Sequence, residues 1–183
     1  MKKLSRGARA LTGTAVAATL AAGTFGALSA NAATPEAAPV ATVASAHTTQ
    51  STHLSVEAAT KAAKAALDEA RKHNERVSVA VVDRDGDGNT VVTLRGDGAG
   101  PQSYESAVRK AYTSVSWNAP TSELADRLKK APNLKDIPNT LFLAGGAPIA
   151  VKGAPIAGIG VAGAPSGELD ERFARAGVAA LGR

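Results

Sequence analysis

Between residues 106 and 117, five side chains able to do chemistry are linked by steps of three or four: Ser106, Arg109, Lys110, Thr113 and Trp117. On a helix such spacings make neighbours, so one side would carry two cations, two hydroxyls and an indole. That set suits a flat ligand with carboxylates, and haem has that shape. Arg109 and Lys110 would take the propionates, arginine through two parallel bonds. Trp117 would lie against the ring. The plain alternatives are a solvated charged face or a contact between subunits.

The element that must position these groups is a helix. Tyr104, Ala107, Val108, Ala111 and Val115 recur at offsets of three, four, seven and eleven, the stripe that an amphipathic helix buries. Ser103 is the expected N-cap, following the glycine-rich run RGDGAG at 95–100.

Haem iron usually takes His, Met, Cys or Tyr as its axial ligand. The chain has no Cys and one Met, the first residue. His47 lies in a polar stretch, while His53 and His73 bracket the first expected helix; solvated or capping roles suit all three. Tyr112 could bind ferric iron as phenolate. One residue along a helix is a rotation of about 100°, so Tyr112 and Thr113 would not approach one iron from the same side.

Three other patterns have plainer explanations. Asp83, Asp85, Asp87 and Gly88 match the first half of a calcium loop, but its twelfth position is Leu94 where a bidentate Glu is needed, so a polar hairpin turn is expected. Gly158, Gly160 and Gly163 satisfy G-x-G-x-x-G, yet the chain is too short beyond them for a dinucleotide unit, and tight sheet packing is the better account. Glu168 and Glu171 share a helix face as hard oxygen donors that could take free iron, or as ordinary solvated acids. No nucleophile elbow is present, and a hydrolase is not expected.

In order along the chain stand VVD (81–83), RGDGA (95–99), KAYT (110–113), GGAPI (145–149), GIGVAG (158–163) and LDERFARAG (169–177). This series resembles the GlcG/HbpS family, over about the last two-thirds of the chain, and is most similar to its secreted haem-binding branch. The resemblance implies a compact α+β domain that assembles as an octamer, binds haem and takes up iron. It further implies an association with a membrane sensor kinase and with protection against oxidative stress. Thr113, the threonine of KAYT, matches the family position implicated in haem binding. A neutral hydroxyl is a weak donor, so ferric haem held there would exchange readily.

The leader sets the charge. Residues 1–32 combine a basic start, an apolar run and a small-residue site at Ala30-Asn31-Ala32, which reads as a secretory signal and not as an anchor, giving a secreted, extracellular product. The formal charge of the chain is +5. Loss of Lys2, Lys3, Arg6 and Arg9 with the signal leaves 17 basic against 16 acidic residues, so no basic excess points to nucleic acid. Residues 33–52, rich in Ala, Thr, Ser and Pro, read as a flexible tether. Residues 53–183 then form one domain of common size. Without Cys its fold must rest on packing.

Within that domain the expected elements are a helix from Ser55 to His73, strands at Val77–Asp83 and Thr90–Arg95, and the Tyr104–Trp117 helix. A short helix at Thr121–Lys130, strands at Thr140–Leu143, Ile149–Val151 and Ile156–Val161, and a helix from Ser166 to Leu181 follow. The order α-β-β-α-α-β-β-β-α predicts an α+β fold with a five-stranded, mostly antiparallel sheet covered by helices, in a profilin-like layout. The leading functional expectation is a secreted, homo-oligomeric, haem-binding and iron-responsive accessory of a sensor kinase. Two alternatives stand beside it: a haem-dependent peroxidase, catalase-like or haem-degrading enzyme, and a non-catalytic oligomeric interaction protein.

Overall fold

The structure, a computed structural model, describes residues 41–85 and 88–182. The expected signal at 1–32 and the start of the tether lie outside the described residues. The chain divides into two units, 1–47 and 48–183. In the first, residues 41–47 are exposed and carry one 3-10 turn, Ser45–His47. All the remaining elements belong to the second.

That unit begins with α1 (Val56–Lys72), capped by Ser55, whose hydroxyl accepts from the Ala58 amide. Alanines at 59, 62, 63, 66 and 70 make its buried stripe, so the helix can approach its neighbours closely. Strands β1 (Ser78–Asp83) and β2 (Thr90–Arg95) follow as a hairpin, then α2 (Pro101–Trp117) and the short α3 (Thr121–Arg127). A second hairpin, β3 (Gly146–Val151) and β4 (Ala154–Ala162), leads into α4 (Gly167–Ala179). The strand order is β2-β1-β4-β3, with every pairing antiparallel.

Alternation along the strands decides the layers. Val77, Val79 and Val81 join Ala157, Ile159 and Val161 in the main core with α1 and α4, where Phe173 is fully buried. Ala80, Val82 and Ala162 face the other way, toward Ala107, Ala111 and Val115 of α2. The fold is therefore helix pair, sheet, helix.

The sheet has four strands, not the expected five. Residues 140–143 do not join it, because their polar groups are engaged elsewhere: the Leu141 amide donates to Thr113 Oγ1, and Thr140 Oγ1 donates to the Ile137 carbonyl. Phe142 is buried against Trp117, with ring centroids 5.2 Å apart. A short apolar run bounded by turn residues reads alike whether it pairs as a strand or packs as an extended loop. The α3 helix also stops at Arg127, short of Lys130.

Candidate functional site

Helix α2 is set in place from its start. Its N-cap is Gly100, with Pro101 in the first turn, three residues ahead of the expected cap. Ser103 instead lies inside the helix, where its hydroxyl donates to the Gly100 carbonyl and meets Ser78 Oγ at 2.8 Å. At the far end Asn118 adopts φ 48°, and its side-chain amide donates to the Gly153 carbonyl.

The inner side of α2 touches β4 backbone to backbone. A Cβ on Gly160 would stand 2.0 Å from the Ala107 carbonyl oxygen, and one on Gly158 would stand 2.2 Å from that of Ala111. The G-x-G-x-x-G run therefore serves close packing, as expected, with Gly163 at φ +127° leaving the strand.

The outer side differs from the expected one. Lys110 is buried: its ammonium donates to Asp170 Oδ2 at 2.8 Å and to the Val161 carbonyl at 3.1 Å. Asp170 also accepts from the Ala164 amide. Burial pushes the Asp170 carboxyl above its ordinary range, and the opposing pull of Lys110 and of the Ala164 and Gly163 amides does not fully offset it. Thr113 is fully buried too, its hydroxyl donating to the Arg109 carbonyl at 2.8 Å while accepting from the Leu141 amide at 2.7 Å. Exposed Arg109 instead pairs with exposed Glu105 one turn earlier.

Trp117 is half-buried, edge-on to Phe142 in a small cluster with Leu124, Leu128 and Leu134. Tyr112, also half-buried, lies over Gly88 of the β1–β2 turn, which at φ +72° has no side chain to obstruct the ring. Ser106 is half-buried. The expected single face is thus split: Arg109 is open to solvent, Trp117 and Ser106 are partly covered, and Lys110 and Thr113 are inside. Tyr104, expected in the core, is exposed.

The acidic pair on α4 is likewise split. Glu171 is buried and accepts from the Ser122 amide and hydroxyl, at 2.9 and 2.8 Å, and from Arg175. Burial alone would raise its pKa, but the Arg175 and Ser122 bonds outweigh that and hold it low. In effect Glu171 caps α3 from another helix. Glu168 stays exposed, its pKa lowered by its own amide and by Ser166. Among the described residues no group of three or more His, Asp or Glu is placed to hold a metal ion. Asp87 lies outside the described residues, and the two carboxylates of that run that can be followed, Asp83 and Asp85, face His53.

Sequence reasoning could not find Asp170. It lies 60 positions from Lys110, and no local spacing links them.

With this arrangement established, the comparisons decide the family. The profile described as "Haem degrading protein HbpS-like" matches residues 54–179. The chain belongs to the HbpS-like family. A crystal structure of a Streptomyces reticuli HbpS double mutant, with two glutamates replaced by aspartate, is 71% identical, covering 81% of this chain and 100% of that one with a TM-score of 0.77. A crystal structure of HbpS gives 71% identity over 78% of this chain and 100% of that one, with a TM-score of 0.76. The haem complex of PduOC is similar at 28% identity, covering 70% of this chain and 95% of that one with a TM-score of 0.63. Among curated protein sequences none matches. The HbpS-like match takes in all four strands and α1 to α4, so the α2 face described above belongs to the family's common domain.

Proposed function

We propose that this HbpS-like protein binds haem on the outer side of α2. The observation that carries the reading is the fold shared with PduOC, solved in complex with haem, within a family described by haem chemistry.

The side chains fit the ligand in part. Arg109 is exposed and its partner is exposed Glu105, so exchanging that partner for a propionate costs little. Tyr112, one turn from Arg109, and Trp117, two turns on, are partly open rings on the same helix. Thr113 can approach the iron only when the Leu141 amide releases its hydroxyl, so ligation there requires the 139–143 stretch to shift. Lys110 holds α2 against α4 and the end of β4, which leaves Arg109 as the cation nearest to hand for a propionate. Bound haem supplies a redox-active Lewis-acidic iron. The chain's own part is to hold the propionates and cover one side of the ring.

The reading extends to ferric haem, and to export behind residues 1–32, which the basic and apolar leader supports. Assembly as a homo-octamer, service as an accessory of a membrane sensor kinase and a response to iron are supported by the family resemblance. Glu168 is the exposed carboxylate that a separate iron ion could use, since Glu171 is already occupied by Ser122 and Arg175.

Titration of the mature protein with hemin tests the central claim. A shifted Soret band that saturates at a fixed ratio is expected; a spectrum of free hemin at stoichiometric protein overturns it. The family description also favours a second reading, haem degradation. Open-chain tetrapyrrole released under reductant and oxygen would mark it, whereas peroxide turnover with intact haem would mark a peroxidase or catalase-like role.

A further inference from the structure

We propose that His53 is a pH-operated clip fastening the stretch ahead of α1 to the turn between β1 and β2. Its Nδ1 stands 2.8 Å from Asp83 Oδ2, and its Nε2 stands 3.5 Å from Asp85 Oδ2. Ser51 Oγ lies 2.6 Å from the same Nε2. The charged groups facing the ring are therefore Asp83 from the end of β1 and Asp85 from the turn. From its own stretch it meets the neutral Ser51. Arg84 separates the two acids in sequence, and its backbone N–H donates to the other Asp83 oxygen, fixing that carboxylate.

Both ring nitrogens thus have a carboxylate within ion-pair distance. A neutral imidazole has one N–H and can serve one of them; the cation donates at both nitrogens. The protonated form is the one that closes the clip on both acids. The hydrogen bond that the ring donates to Asp83, followed by that residue's charge, raises the His53 pKa above its ordinary value. A group whose pKa is raised in the closed form contributes fully below its ordinary value, and the contribution is lost as pH rises through the raised one. The clip therefore shuts in acid and loosens toward alkaline pH.

Its mechanical reach is defined. Leu54 packs against the main core and Ser55 caps α1, so everything from 54 onward is held by other means. Residues 49–53 contain no helix or strand, and 49–52 are exposed. His53 is the contact that ties residues 51–53 to the β1–β2 turn. This inference does not depend on haem binding.

The mature protein, without haem, provides the test by NMR. The His53 ring should titrate above about 6.5, the ordinary histidine value, and fall toward it in the Asp83→Asn, Asp85→Asn double variant. The backbone amides of Ser51 and Thr52 should be ordered at acid pH and lose order through the same transition, while in the double variant and in His53→Ala they should stay poorly ordered throughout. Equal titration of His53 in parent and double variant, or Ser51 and Thr52 order independent of pH in the parent, would overturn the proposal. Persistence of the pH-dependent order in His53→Ala would do the same, since another group would then be the switch. His53 and Asp85 are exposed and Asp83 is half-buried at the end of β1, so an unchanged far-ultraviolet spectrum is expected and separates loss of the clip from loss of the fold.

Discussion

Arg109 and Lys110 are adjacent cations on one helix, and the fold uses them in opposite ways. Lys110 points inward to an ion pair whose two side chains are 6% and 5% exposed, while Arg109 points outward to a pair in which both members are exposed. A rotation of about 100° separates consecutive residues of a helix. Here it separates a charge committed to architecture from one available to a ligand. A sequence pattern that counts charges on a face sees two equal binding groups; the structure shows one.

The comparison is open to being broken, beginning where the effect should be largest. Asp170→Ala leaves the Lys110 ammonium buried without its carboxylate, and a loss of about 3–5 kcal/mol in urea unfolding is expected. The paired replacement Lys110→Met with Asp170→Leu should recover much of that loss, because it removes both charges at once. If the double variant is as unstable as the single one, the pair is not the cause.

Gly160→Ala comes next. It sets a methyl where the Ala107 carbonyl already stands, and overpacking against rigid backbone is expected to cost about 1–3 kcal/mol. A neutral result would mean that α2 can lift from β4.

Thr113→Val keeps the shape but leaves the half-buried Leu141 amide without its acceptor, for about 1–3 kcal/mol of stability. Hemin affinity should fall with it; unchanged affinity and Soret spectrum would remove Thr113 from the ligand role.

The smallest structural effect belongs to Arg109→Gln. Its stability should stay within about 0.5 kcal/mol of the parent. Hemin should bind several-fold more weakly, and an unchanged titration would move the propionates elsewhere.

Much of this fold could be anticipated from local signals. The β-branched run at 90–95 is β2 to the residue, and β1 is the run at 77–83 without Val77. The alanine stripe of α1 and the capping serines at 55 and 166 stand where expected. Periodicity did less well with α2, which is packed on more than one side. A helix with one buried stripe shows it cleanly, but α2 meets glycine backbone along β4, Leu141 at Thr113 and Asp170 at Lys110. Small or polar residues mark those contacts, so an apolar count assigns Thr113 and Lys110 to solvent and exposed Tyr104 to the core. The extra strand at 140–143 has the same origin. A backbone amide satisfied by a distant hydroxyl is invisible to strand propensity.

The seam of glycines under α2 carries a last consequence. Where helix and sheet meet main chain to main chain, at Gly158 and Gly160, the joint admits no side chain between them, and the exposed positions of α2, Arg109 among them, stand apart from that footing. A scaffold so made can change what it grips without relearning how to fold.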